Sequence, residues 1–194
     1  MSVALSKRHY GETKEIVRID NESQRLEEMI SALLNLSKTQ LNATTKESFN
    51  LDSLLQPICD DAIFEAEQLG KRFSYQPIPD LDIKGFPALF GSAIENVIRN
   101  ALRYANQQVH LAITNDIDKI TFVITDDGPG VPEDEVEQIF KPFYRVSQAR
   151  DRESGGAGLG LAITENAVRQ HHGIIRASNR DTQGLQVTIT IPMG

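Results

Sequence analysis

The chain has 194 residues, enough for one domain of about 150 residues and an arm of roughly 40. Apolar residues make up 40% and charged residues 24%, which excludes a disordered tail or a collagen-like chain. Lys and Arg number 20 against 27 Asp and Glu, a net charge of −7, so there is no broad basic footprint for nucleic acid, and no apolar run approaches the ~18 residues of a membrane span.

A single cysteine, Cys59, excludes an internal disulfide and any multi-cysteine metal site. Lys7, Arg8 and His9 follow Val3-Ala4-Leu5, the reverse of the order in a secretory signal. Residues 12–41 read as one long helix, with Ile19, Leu26 and Leu33 at heptad spacing and Ile16 and Ile30 on the companion position. Ser23 and Ser37 interrupt that stripe, Leu34 and Leu41 widen it, and Glu22, Arg25, Glu27 and Glu28 fill the other face. Such a helix needs a hairpin partner or a second chain to bury its stripe, so self-association through this arm is expected. Gly11 separates it from residues 1–10, which read as the stub of a preceding helix. The expected division is an arm at 1–43 and a folded domain at 44–194.

Residues 51–69 predict an amphipathic helix carrying Leu54, Leu55, Ile58, Ala62, Ile63, Ala66 and Leu69. A strand is expected at 72–77 and a turn at Pro77-Ile78-Pro79. Residues 87–105 predict the most apolar helix, with Leu89, Phe90, Ala93, Ile94, Val97, Ile98, Ala101 and Leu102 on its stripe. Alternation marks strands near 108–114 and 119–125. The stretch 127–157 is rich in Gly, Pro and charge, and its length points to a lid or binding loop. A helix at 158–171 and hairpin-like strands near 174–179 and 185–191 follow. The order predicts an α+β fold, a two-layer α/β sandwich with a mixed sheet and helices on one face.

Four segments carry chemistry. On the helix at 87–105, Asn96, Asn100 and Arg103 fall on one face at i, i+4, i+7, with Tyr104 beside them. Asn is a poor residue for a helix interior, so two on one face are either a solvated surface or neutral oxygen ligands for a hard cation such as Mg²⁺, with Arg103 for an anion. Asp126-Asp127-Gly128-Pro129-Gly130 ends an apolar strand. It reads as a turn, or as a carboxylate placed to accept from an exocyclic amino group beside two glycines that admit a ligand. Adenine has that amino group and guanine has a carbonyl there. Ile139-Phe140-Lys141-Pro142-Phe143-Tyr144-Arg145 puts three aromatics in a polar lid, either to pin it to the core or to carry Lys141 and Arg145 to a triphosphate. Gly155-Gly156-Ala157-Gly158-Leu159-Gly160 opens a helix whose first N–H groups can meet phosphate, unless the glycines are only a hinge. The spacing fits neither the dinucleotide fingerprint nor a P-loop. His171 and His172 are adjacent and read as a helix end.

In this order the four segments resemble the N, G1, F and G2 boxes of the sensor histidine kinase catalytic domain, over about residues 44–194. The resemblance implies the Bergerat (GHKL) ATP-binding fold. It makes the arm similar to the second helix of a dimerisation and histidine-phosphotransfer hairpin. Phe64-Glu65-Ala66-Glu67-Gln68 and Ala149-Arg150-Asp151-Arg152-Glu153-Ser154 further resemble the Cpx-type envelope-stress sensor kinases. By position, Asn100 is expected as the Mg²⁺ ligand with Asn96 lining the same site, Arg103 as a phosphate contact and Tyr104 as an aromatic on adenine. Asp126 is expected as the acceptor for the adenine amino group, with Gly128 and Gly130 shaping the pocket. Lys141, Arg145, Gly156, Gly158, Leu159 and Gly160 belong to the lid and phosphate site. Hydrolytic relatives carry Glu where Asn96 stands; an amide takes no proton, which favours phosphoryl transfer.

No histidine here has the family's phosphoacceptor context, so the resemblance implies a piece of a longer sensor. That sensor is expected to sit on the cytoplasmic side of the bacterial inner membrane, to pass phosphate to a response regulator and to bind no nucleic acid. A hydrolytic ATPase and a non-catalytic, nucleotide-dependent interaction module remain as alternatives.

Overall fold

The computed structural model describes Thr13, residues 46–146 and residues 158–193. Apart from Thr13, the expected arm helix at 12–41 lies outside the described residues, as does Gly156. The domain starts with a short strand, β1 (Glu47–Asn50), which pairs antiparallel with β3 (Asp82–Gly85) as a two-stranded ribbon. Neither strand was expected: each is four residues long, and their pairing crosses more than thirty positions.

Helix α1 (Leu51–Gln68) is started by Asn50, whose side chain accepts from Ser53 N–H at 3.0 Å. It ends where Gly70 takes φ +65° and Lys71 N–H returns to Ala66 O at 2.8 Å, the left-handed glycine stop. Leu51, Leu55, Cys59, Ala62 and Ala66 are buried, but Leu69, expected on the apolar stripe, is half exposed because it falls beyond the last turn. Strand β2 (Arg72–Tyr75) ends two residues short of expectation; Pro77 and Pro79 have no N–H for a ladder.

Pro87 stands in the first turn of α2 (Pro87–Tyr104), where its missing N–H costs nothing. All eight residues expected on the apolar stripe of α2 are buried. Strands β4 (Gln108–Asn115) and β5 (Lys119–Asp126) alternate as read, with Val109, Leu111 and Ile113 and then Ile120, Phe122 and Ile124 facing inward. Two short 3₁₀ turns, η1 (Glu133–Glu135) and η2 (Gln138–Phe140), interrupt the long connection. Helix α3 (Gly160–Gln170) begins two residues later than expected, and β6 (Ile174–Asn179) and β7 (Leu185–Pro192) form the hairpin.

The main sheet runs β2-β4-β5-β7-β6, with β2 parallel to β4 and every other pair antiparallel. Its inner face meets α1 and α2 in one core, where Phe90 packs edge-on against Phe122 at 5.3 Å between ring centroids. The opposite face carries Thr121, Thr125, Thr188 and Thr190, all partly exposed. This is the expected two-layer sandwich, with a mixed sheet and helices on one face.

His171 caps α3 and is buried among aromatic rings, Phe86 and Phe90, at 5.6 and 5.5 Å. Its Nε2 accepts from Phe86 N–H at 2.9 Å, which leaves Nδ1 to donate to Ala167 O at 2.8 Å. Burial holds its pKa below the ordinary value, with Lys46 and His172 adding to the effect against the bond to Ala167. His171 is therefore a neutral structural residue that ties the end of α3 to the start of α2.

Candidate functional site

Asp126 continues the inward alternation of β5 after Ile120, Phe122 and Ile124, so the last position of an apolar face is a carboxylate. It is 5% exposed. Gly128 N–H donates to its Oδ1 at 2.8 Å and Leu185 N–H to the same atom at 3.2 Å. Among the described residues nothing donates to Oδ2. Burial pushes the carboxyl above its ordinary range; the two N–H groups and Arg180 oppose this, and Asp127 adds to it. A buried carboxylate oxygen without a partner is costly unless a donor arrives from outside the chain.

Asp127 does different work. Its Oδ1 accepts from Gln107 N–H at 2.9 Å and Gln108 N–H at 3.0 Å, fastening the turn between α2 and β4. What burial it has opposes ionisation, but the N–H groups of Gln108, Gln107 and Asn106 win and hold its carboxyl below the ordinary value. Both oxygens of Asp127 meet N–H groups of that turn, Gln107 N–H lying 3.2 Å from its Oδ2, whereas Asp126 Oδ2 accepts from nothing among the described residues.

Gly128 lies directly under the end of α2. A Cβ there would stand 2.4 Å from Tyr104 O and 2.9 Å from Asp126 Oδ1, so no side chain fits. This contact sets the backbone of Tyr104, a half-buried residue, beside the Asp126 loop. Gly130, with φ +74°, turns toward β6, where a Cβ would meet Asn179 Oδ1 at 2.6 Å. It closes the loop against β6, and its contacts do not reach α2.

Along α2, Asn96 and Asn100 are half-buried, and among the described residues neither amide makes a hydrogen bond. Asn96 sits against the start of α3, since a Cβ on Gly160 would lie 3.6 Å from Asn96 Oδ1. Thr164, fully buried, fixes that approach: its hydroxyl reaches Gly160 O at 3.0 Å and Ala93 O at 3.3 Å. Among the described residues no side chain caps the first turn of α3, which leaves its N–H groups for a ligand. One helix face thus runs from the open end of α3 at Asn96, past Asn100, to Asp126 and Gly128 at Tyr104, a rise of about 12 Å. Glu95 lies off this face, paired with Arg99 at 3.5 Å.

Gly158, at φ +70°, fits tightly against Phe143 and Tyr144, and Phe143 N–H donates to Gly158 O at 2.8 Å. The lid segment ending in Arg145 is thereby held at the entrance to α3. The Leu159 side chain is 2% exposed, so its backbone is the part that can face a ligand. Lys141 and Arg103 are exposed, and Arg145 is half-buried. Of the lid aromatics, Phe140 packs on the core, Tyr144 hydroxyl donates to Glu135, and Phe143 is 57% exposed. Pinning therefore accounts for Phe140 and Tyr144 but not Phe143.

Among the described residues no group of three or more His, Cys, Asp or Glu side chains could hold a metal. A cation here would take neutral amide oxygens and share its other ligands with phosphate, the habit of Mg²⁺. Sequence reasoning missed Asn179, Arg180 and the Leu185 N–H, which hold the Asp126 loop; no periodicity or motif marks them.

Residues 86–194 match the family described as histidine kinase-, DNA gyrase B-, and HSP90-like ATPase. Over 195 aligned residues, 100% of this chain, the sequence is 45% identical to the sensor histidine kinase CpxA of Escherichia coli strain K12 and covers 43% of it. The chain thus spans less than half the length of that relative. The mycobacterial sensor histidine kinase MprB superposes with a TM-score of 0.63 at 26% identity, over 75% of this chain and 97% of that one. The histidine kinase ThkA, solved in complex with the response regulator protein TrrA, gives a TM-score of 0.70 over 94% of this chain and 51% of that one. At 21% identity this last likeness concerns the fold alone. The chain belongs to the histidine kinase-, DNA gyrase B-, and HSP90-like ATPase family and is homologous to sensor histidine kinases.

Proposed function

We propose that the chain is the ATP-binding catalytic module of a two-component sensor histidine kinase. The observation that carries this reading is the buried Asp126, whose Oδ2 has no partner at the closed end of a helix face of unpartnered amides. Oδ2 accepts the adenine 6-amino group, Gly128 lets the loop close on the end of α2, and Tyr104 stands beside the ring. The phosphates lie along Asn100 and Asn96 toward the uncapped start of α3, with Arg103, Lys141 and Arg145 as cationic contacts.

Asn100, with Asn96, would hold Mg²⁺, which when bound neutralises charge on the phosphates. Asn96 and Glu95 provide no base aimed at a water: one is an amide and the other is paired with Arg99 on the outer side. The reaction favoured is transfer. The bond between the γ-phosphorus and the bridging oxygen breaks, ADP leaves, and a phosphorus–nitrogen bond forms to a histidine outside this chain. The residues here contribute positioning and charge stabilisation.

The phosphate then passes to an aspartate of a response regulator, a class of partner found with ThkA. The intact sensor would pair through the helical arm and sit at the cytoplasmic side of the inner membrane. No helix among the described residues is long and apolar enough to cross a membrane. Titration with Mg-ATP and Mg-GTP tests the pocket: binding of ATP with GTP at least tenfold weaker is expected, and equal binding of the two, or of neither, refutes the adenine assignment.

A further inference from the structure

The loop that carries Asp126, Gly128 and Gly130 is fastened from the far edge of the sheet. Asn179 is the last residue of β6 and Arg180 follows it. Asn179 meets the exit of the loop: Val131 N–H donates to its Oδ1 at 2.9 Å, and its Nδ2 donates to Val131 O at 2.6 Å and Glu133 Oε1 at 2.8 Å. Arg180 meets the entrance: its Nη1 donates to Asp126 O at 2.9 Å. The Arg180 N–H closes the hairpin on Gly184 O at 3.0 Å, and the next residue, Leu185, supplies an N–H to Asp126 Oδ1. The fit is tight, since a Cβ on Gly184 would stand 1.9 Å from Asp126 O.

Two neighbouring side chains therefore hold both ends of one loop. Resting on the nucleotide reading above, we propose that Asn179 and Arg180 are positioning residues for the adenine pocket: they clamp the Asp126–Val131 loop to the β6–β7 hairpin and keep the free oxygen of Asp126 aimed at the ligand. Their duties differ. Asn179 acts by geometry alone. Arg180 also brings a positive charge to the carboxyl, working against burial and against Asp127, the other charged group facing it. Removing that charge makes the carboxyl easier to protonate, and a protonated Asp126 is a poorer acceptor.

The test uses the full chain and three variants, Arg180→Met, Arg180→Lys and Asn179→Ala, with thermal melts to establish that each is folded. Mg-ATP affinity is measured by calorimetry, and the Asp126 carboxyl is titrated by carbon NMR without nucleotide. Arg180→Met is expected to weaken ATP about tenfold, the effect of losing one charge-assisted hydrogen bond, and to titrate Asp126 at higher pH than the parent. Arg180→Lys restores the parent titration. Asn179→Ala weakens ATP and leaves the titration where it was. Parent-like ATP binding by Arg180→Met, or an unmoved Asp126 titration in it, overturns the proposal. A parent chain that binds no nucleotide counts against the nucleotide reading alone, and the titration of the nucleotide-free protein still decides the role of Arg180.

Discussion

Replacing Asp126 by Asn separates the ligand-binding role of this carboxylate from any structural one. The amide keeps an oxygen where Oδ1 accepts from Gly128 at 2.8 Å and Leu185 at 3.2 Å, so the internal bonds survive. It replaces Oδ2, the atom assigned to adenine, by an NH₂ group that can only donate. Loss of a hydrogen bond to a charged acceptor is worth about 1.5–3 kcal/mol, a fall in affinity of roughly 10–150-fold, before the clash of two donors is counted. Stability should move the other way. Burial holds the Asp126 carboxyl above its ordinary value, so the folded state binds its proton more tightly than the unfolded chain does. Ionised Asp126 therefore disfavours the fold at neutral pH; the parent gains stability as pH falls through the raised value, a gain the variant lacks. Calorimetric titration with Mg-ATP and a thermal melt at pH 7 read both effects. The expected result is ATP affinity lost with the melting temperature held or raised. An Asp126→Asn protein that binds ATP as the parent does, or one that loses ATP only because it unfolds, would refute the reasoning.

Two glycines, one in the Asp126 loop and one inside α2, should respond oppositely to the same substitution. Gly128→Ala drives a Cβ to 2.4 Å from Tyr104 O and should abolish ATP binding and lower the melting temperature, whereas Gly91→Ala meets only the side-chain tips of Ile58 and Leu54 at 3.4 Å inside α2 and should stabilise by up to ~1 kcal/mol, as read in urea unfolding curves. Neutral His171 has its pKa held below the unfolded value of 6.5, so its contribution is complete above that value and is lost as pH falls below it. Stability should decline there by up to ~1.4 kcal/mol per pH unit, and His171→Gln should remove that slope. Burial, then Asp60 and Asp52, push the Cys59 thiol up to about 12, so a maleimide should label it only after unfolding; fast labelling of the native protein contradicts its place in the core.

What was legible in the sequence is what repeats locally. The inward alternation of β4 and β5 and the apolar stripe of α2 set the sandwich, and Asp126 stood out as a charge at the end of an apolar strand. Strands β1 and β3 were not legible, because four residues with mixed exposure carry no period and their partner is distant. The anchoring by Asn179 and Arg180 was hidden for the same reason: their bonds to Val131 and Asp126 cross about fifty positions, and nothing near them announces the contact. Leu159 and Gly130 sit in the right motifs but serve differently. The first is buried under α3, and the second turns toward β6. Motif position marked the loop, while the burial of Leu159 and the turn of Gly130 toward β6 emerge only from the fold.

The most direct test of the account is transfer in trans. The chain is incubated with Mg-ATP labelled at the γ-phosphate and with a polypeptide carrying the phosphoacceptor-histidine helix of a related sensor kinase. Label is expected on that histidine, labile to acid and stable to base, and none with Asp126→Asn. Steady release of inorganic phosphate with no labelled histidine would contradict it and identify a hydrolase instead.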